Sequence, residues 1–536
     1  MTLLYPRTAL LGQRRFGLAC RQIHGLPRLS LDEAPDARCR AKSWNDRVAL
    51  VICAPRRAGG ALAATPMPFV NQRLPTRADL LALLRLAAPI VLIQVGTMLM
   101  GVVDTIMVGR VSAAALAAAA LGNLYFWIIS GLGIGVLMAL DPIVAQALGA
   151  RDELAVTRGV QRGLVLSVLL TIPLSLALWT VGPVLAAVRE PAVVVPAAAG
   201  YVHRSIPGLW PMLAFVALRQ TLQAHRRTRP IVVTIVIANL LNALLNCLWI
   251  YGHLGFPALG VLGSAWATTT SRWFMAALLL VLGWPELERY LRRLAPGVFD
   301  PRALGRMLAI GAPIGAQMVV ESGVFGTVAL LMGWLGVVQV AAHQVAINLA
   351  SLTFMVPLGV SSAAAVIVGH AVGRGDAVAV HRGTLAALAV GAGFMALMAG
   401  VLIGFPGPLA RLYTADPGVL ALTVVLLPIA GVFQVFDGLQ VVSLGLLRGL
   451  GDTRVPVIAG LAGFWGIGMP VSLVLGFVLD FGAPGLWWGL VVGLVMVALF
   501  LLRRVFARER RDLARIIIDE QANPKIAPDP IEVLAK

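Results

Sequence analysis

The chain is expected to be an all-α polytopic membrane protein. Its twelve transmembrane helices should form two six-helix bundles related by a pseudo-two-fold axis along the membrane normal. Three observations lead there. First, the 536 residues are 59% hydrophobic and only 13% charged, with a mean hydropathy of +0.87; a soluble domain is nearer half apolar and a quarter charged. Second, the apolar residues gather into runs of the ~20 residues or more that a bilayer crossing needs. Third, one stretch recurs. Residues 84–153 hold two very apolar segments with Asp104 inside the first, and residues 308–377 repeat them 224 positions later without a gap. Ala88-Pro89-Ile90 falls on Ala312-Pro313-Ile314, Gly109 on Gly333, Gly149 on Gly373 and Asp152 on Asp376. Chance likeness between alanine-rich helices does not account for Pro, Gly and Asp matches at one fixed offset.

Residues 1–75 differ from the rest. They are rich in Arg, Pro and Ala and hold no run long enough to span a bilayer. Two readings stand side by side: a disordered arm, or an over-long gene start with Met67 opening the natural lead into the first helix. Twelve apolar segments follow, at about 83–108, 115–146, 162–188, 194–218, 230–252, 258–284, 306–333, 338–370, 382–410, 417–447, 455–479 and 483–502. The loops after even-numbered segments carry most of the arginines, among them Arg151, Arg158, Arg226, Arg289, Arg374 and Arg454, whereas the odd-numbered loops hold only Arg110, Arg189 and Arg411. The positive-inside rule then puts both termini in the cytoplasm. Six helices per repeat is an even number, so both halves enter the membrane in the same direction, the parallel kind of repeat found in transporters. The expected lobes are 76–284 and 306–505, joined by a charged cytoplasmic linker, 285–305, and followed by a cytoplasmic tail, 506–536; the arginine-rich stretch 503–511 reads as a solvated helix near anionic headgroups.

The formal charge of +18 would suggest nucleic acid in a soluble chain, but here it lies in short loops and tails, where topology explains it. No nucleic-acid partner is expected. Lysine occurs only at Lys42, Lys525 and Lys536, which points to a GC-rich bacterial genome and an inner-membrane location. Cys20, Cys39, Cys53 and Cys247 show no ligand spacing, so neither a metal site nor a disulfide framework is expected.

A charge at the bilayer centre costs ~2.5–3.5 kcal/mol on insertion scales, so an intramembrane acid normally faces a cavity and has a task. Asp104 in the first segment, Glu321 in the seventh and Asp437 in the tenth are the clear cases. They are not repeat equivalents: Glu321 aligns with Thr97, and Asp104 with Val328. Seven residues return to the same helix face within ~20°, so Asp104 and Glu321 should look into one central cleft from opposite halves. An acid stripped of water readily takes a compensating proton, sodium ion or organic cation. Transient sodium at Glu321 and Asp437 is one form of this, and a structural ion pair with Arg204 or Arg272 is the alternative. Asn242 and Asn246 share a face of the fifth segment and could serve a cation near Asp104 or simply pack helices. Gln440 and Phe433 flank Asp437 at i+3 and i−4, and the ring could hold a cationic cargo by cation–π attraction. Asp141 lies near the end of the second segment and reads as a helix-end residue.

The chain contains no GxxxxGK, GxSxG or HExxH motif, so neither a P-loop, enzyme chemistry nor a cofactor is expected, and transport energy must come from an ion gradient. The stretches AAPIVLIQVGTMLMGVVDTIMVGR, DPIVAQALGARD, RTRPIVVTIVIANLLNALLNCLWIYG and FDGLQVVSLGLLRGLGDTRVP resemble the multidrug and toxic compound extrusion (MATE) family, in its NorM-like branch, over residues 78–505. The resemblance implies a V of two bundles around a cleft and a monomer that exports small organic cations in exchange for sodium ions or protons. Its acid positions fall on Asp104, Glu321 and Asp437 and its asparagines on Asn242 and Asn246; Phe433 stands where some members carry tyrosine. The alternative is a lipid-linked oligosaccharide flippase of the same superfamily, which would be expected to show a strongly basic cavity.

Overall fold

The computed structural model describes residues 2–5, 39–43, 49–53, 74–188, 191–192, 194–510 and 513–519. The chain divides into two units, Met1–Phe69 and Val70–Lys536. In the first, β1 (Thr2–Tyr5), β2 (Cys39–Ser43) and β3 (Ala49–Cys53) form an antiparallel sheet in the order β1-β3-β2. The central strand is the apolar run Ala-Leu-Val-Ile-Cys, whose β-branched residues suit a paired position; Leu50 faces Leu4, and Val51 faces Ala41. The remainder of the expected amino-terminal extension, up to residue 73 and Met67 included, lies outside the described residues. The all-helical class describes the second unit.

Among the described residues that unit contains eleven long apolar helices and one broken segment. The eleven are α1 (Arg77–Gly109), α2 (Ala113–Gly149), α3 (Glu153–Trp179), α5 (Arg229–Tyr251), α6 (Val261–Leu291), α7 (Pro301–Leu335), α8 (Val337–Arg374), α9 (Ala377–Gly404), α10 (Pro417–Gly449), α11 (Arg454–Val478) and α12 (Gly482–Glu509). The fourth segment, α4, is broken. Val195–Ser205 and Leu209–Ala224 are separated by a 3-10 turn, Ile206–Gly208, at Pro207, which cannot donate to the helical ladder. The linker is shorter than expected, because α6 continues through Pro285 to Leu291 and α7 begins at Pro301.

Local chemistry explains where these helices begin. Thr76 and Asp79 form a reciprocal cap at the start of α1: the Asp79 amide donates to the Thr76 hydroxyl at 3.2 Å, and the Thr76 amide donates to the Asp79 carboxylate at 2.9 Å. Asp152 and Asp376, matched in the repeat, cap α3 and α9 by their side chains alone. Each accepts the amide three residues on, from Ala155 at 3.0 Å and from Ala379 at 2.9 Å. Along the outer faces, Leu92, Leu176, Leu240 and Leu330 are more than 60% exposed. Such a belt suits helices surrounded by hydrocarbon, where the backbone is satisfied within each helix.

The repeat is visible as geometry. Gly149 packs on the His370 carbonyl, and its equivalent Gly373 packs on the carbonyl of Gln146, the residue equivalent to His370. Gly135 of α2 meets Gly315 of α7; its equivalent Gly359 of α8 meets Val91 of α1, the equivalent of Gly315. Reciprocal contacts of this kind are what a two-fold relation requires. At these glycines a β-carbon would overlap the facing backbone. Gln146 and His370 also reach across for carbonyls at the ends of matched helices: Gln146 donates to Gly449 at 2.8 Å and His370 to Ala224 at 2.9 Å. The first turns of α1 (Leu83, Leu86, Ala87, Ile90) join the core of the second half, while Ala303 and Met307 of α7 join the core of the first.

α12 runs on through Arg503, Arg504 and Arg508 to Glu509, the arginine-rich stretch read as helical. Beyond it, no helix forms at 513–519. Residues there are non-helical and docked, because their polar groups find partners in the loops described below.

Candidate functional site

A cavity of about 550 Å³ opens between α7, α8 and α10, with Leu124 and Met138 of α2 closing it from the other half. Its wall is mostly apolar, from Ile314, Met318 and Phe325 of α7, Phe354 and Leu358 of α8, and Val441 and Leu444 of α10. Two carboxylates, Glu321 and Asp437, line it. Gln440, one turn beyond Asp437, donates from Nε2 to Glu321 Oε1 at 3.3 Å, so it bridges the two acid-bearing helices. Gln317, one turn before Glu321, is buried with both amide atoms unpaired. Phe433 lies on the cavity wall, held edge-on by Phe325 at 6.0 Å and Trp487 at 5.8 Å. A ring fixed on two sides presents a stiff apolar surface to whatever enters.

Asp104 does not line this cavity. It sits in a polar cluster within the first half, where Asn246 donates to Asp104 Oδ1 and Thr268 of α6 donates to Oδ2 at 2.7 Å. Asn246 also donates to Asn242 Oδ1 at 3.1 Å. Arg272 lies one turn from Thr268, its guanidinium stacked 4.2 Å over the Phe126 ring. The expected shared cleft for Asp104 and Glu321 is therefore corrected to two separate sites. A seven-residue offset does preserve the helix face, but that part of each helix faces its own bundle: α1 packs on α5 through Met100, Ile235 and Ala238, and Glu321 turns to α10. Their repeat partners carry no charge. Thr97 bonds back to the Ile93 carbonyl at 2.8 Å, and Val328 is fully buried in the core.

A third set adjoins the cavity at Arg448. Asp141, read as a helix-end residue, is 1% exposed. It follows the break in α2 at Met138–Ala139, and its carboxylate lies 3.9 Å from Arg448, a cavity-lining residue of the other half. Arg448 in turn donates to the Ser361 hydroxyl at 3.1 Å. Sequence reasoning missed Thr268, Gln317, Asp141 and Arg448. The i, i+4 spacings of Gln317 with Glu321 and of Thr268 with Arg272 were the available signals.

Two bundles exchanging their end contacts around an acid-bearing apolar cavity define a two-lobed membrane transporter. The chain belongs to the MatE family, whose profile matches residues 89–248 and 313–474, two matches that begin 224 residues apart. It is 37% identical over 446 residues to the probable multidrug resistance protein NorM of Mesorhizobium japonicum, covering 81% of this chain and 95% of that one. It is 38% identical over 428 residues to the multidrug resistance protein NorM of Burkholderia vietnamiensis, covering 78% and 92%. The fold matches the eukaryotic MATE transporter AtDTX14 with a TM-score of 0.75 at 21% identity, over 82% of this chain and 99% of that one.

Proposed function

We propose that the protein is a secondary multidrug efflux antiporter of a bacterial inner membrane, exporting organic cations in exchange for sodium ions or protons. The observation that carries this reading is the pair Glu321 and Asp437 in one largely apolar cavity. The apolar wall suits a drug-sized ligand and the acids suit a cation. Cargo and coupling ion compete for the same carboxylates, so loading one expels the other. Gln440 orients Glu321, Phe433 offers the cargo a fixed ring, and the Asp104 cluster with Asn242 and Asn246 is a second site for the coupling cation. Both termini are cytoplasmic on this reading, and the monomer lies in lipid. A charge moving down 100 mV supplies ~2.3 kcal/mol per cycle.

A flippase for lipid-linked oligosaccharides, whose anionic headgroup would need a basic cavity, fits less well. Among the described lining residues Arg448 is the one basic side chain against two acids.

The test is efflux of ethidium from de-energised cells, with a sodium jump and a pH jump applied separately. Losing one charge-assisted contact of ~1.5–3 kcal/mol should slow efflux at least about tenfold in Glu321→Gln and in Asp437→Asn. Efflux triggered by one ion in wild type and lost in both variants supports the reading and names the ion. Absence of efflux under either gradient, with the protein correctly inserted, would overturn it.

A further inference from the structure

The close contacts between the two halves run from the Gly135–Gly315 and Gly359–Val91 crossings to the helix ends around Gln146, Gly149, His370 and Gly373. Residues 513–519 lie across that seam. Their anchors come in two kinds. Three ion pairs hold the ends of the segment: Arg515 with Asp152, and Asp519 with Arg158 at 3.0 Å and with Arg162 at 2.6 Å. Backbone bonds hold the middle: the Ile516 amide donates to Gln146 Oε1 at 2.7 Å, and Arg306 donates to the Ile518 carbonyl at 2.6 Å.

The apolar side chains divide between the halves. Leu513 packs on the core of the second half, while Ile516 and Ile518 join the core of the first. Ile516 also rests beside Gly451, which follows α10. Gln146 is the shared node. From the first half, its amide nitrogen donates to Gly449 in the second, while its oxygen takes the segment's amide. Separation of the halves at this end would break the Gln146–Gly449 bond and pull the segment off one core or the other.

We propose that residues 513–519 are an intramolecular clasp whose docking groove is the seam itself, and that the clasp stabilises the access state in which the lobes are joined at this end. Undocking then accompanies opening there, and the strength of the clasp sets the ratio of the two access states.

The test uses the full chain with Cys20, Cys39, Cys53 and Cys247 changed to serine. Nitroxides are attached at Arg151→Cys and Val378→Cys, two exposed positions flanking the seam, and distances are read by electron resonance in vesicles. No cargo or gradient is needed, so the outcome is independent of the cation-exchange reading. Partly exposed ion pairs are worth little individually, so Arg515→Glu should raise the long-distance fraction by about two- to fivefold. Adding Asp152→Arg should bring it back. Asp519→Asn should act in the same direction as Arg515→Glu, and it is the variant read if Arg515→Glu does not insert. Unchanged distances in both, or a change that the charge swap does not reverse, overturns the clasp. So does failure of both variants to fold, which would make the segment a folding element instead.

Discussion

Asp104 shows how one side chain comes to be held by neighbours that sequence spacing only partly reveals. Asn242 and Asn246 sit a helical turn apart; Asn246 donates to the acid and to Asn242 behind it, and Thr268, 164 residues away in the chain, donates from α6. Thr268→Val keeps the shape and removes the donor to Oδ2. Interhelical hydrogen bonds in membranes average about 0.6 kcal/mol, so thermal stability in detergent should fall only slightly. On the proposed reading of Asp104 as a second cation site, the carboxylate left one donor short should bind the cation more readily, and the ion concentration for half-maximal efflux should fall by about threefold. An unchanged ion dependence would mean that Asp104 takes no part in coupling. At this scale the candidate acids were legible, because a charge in an apolar run stands out. Of their partners, Asn242, Asn246 and Gln440 could be picked out by helix-face spacing, whereas Thr268 on another helix could not, since an ordinary Thr carries no such contrast.

Helices here follow their local chemistry closely. Caps at Thr76, Asp152 and Asp376 and the break at Pro207 lie where the residue types demand them. The carboxy-terminal segment is the exception. Residues 513–519 are non-helical and are held by tertiary ion pairs. Those pairs are also pH-sensitive. Burial alone would raise the Asp152 carboxyl, but the Arg515 hydrogen bond, the Ala155 amide and the Arg515 charge together outweigh it and hold the group below the usual carboxylate range. Burial likewise opposes, and Arg162 and Arg158 outweigh, at Asp519. Groups with a depressed folded value contribute above their unfolded value and lose that contribution as pH falls through the folded one. Docking of the segment should therefore be complete at neutral pH and weaken below about pH 4. A nitroxide at the exposed Ala514→Cys should show its mobile fraction rising over that range and steady between pH 5 and 7. A mobile spectrum already at pH 7 would contradict the docked geometry.

For the molecule as a whole, the seam between the halves is built from glycines that leave no room for a β-carbon. Gly373→Ala would drive its methyl into the Gln146 carbonyl. Overpacking of this kind costs ~1–3 kcal/mol, enough to shift a two-state balance by about tenfold. The expected result is a shift to the long Arg151–Val378 label distance and loss of efflux at normal abundance. Gly393→Ala is the control, because nothing lies within 4 Å of its added carbon. Equal behaviour of the two variants would remove the seam from the transport cycle.

By itself the sequence determined the class, the twelve crossings, the repeat and the identity of the three membrane acids. Each of these is a one-dimensional signal: hydropathy over bilayer length, a fixed offset of 224, a lone charge in a run of apolar residues. Only the tertiary structure decided that Glu321 and Asp437 share a cavity while Asp104 stands apart. It alone paired Asp141 with Arg448 beside the cavity and laid the tail over the seam. The physical reason is that helical periodicity states which residues share a face, whereas what that face meets depends on how the two halves cross, and their crossing is set by glycine contacts and buried carbonyl bonds between residues far apart in the chain.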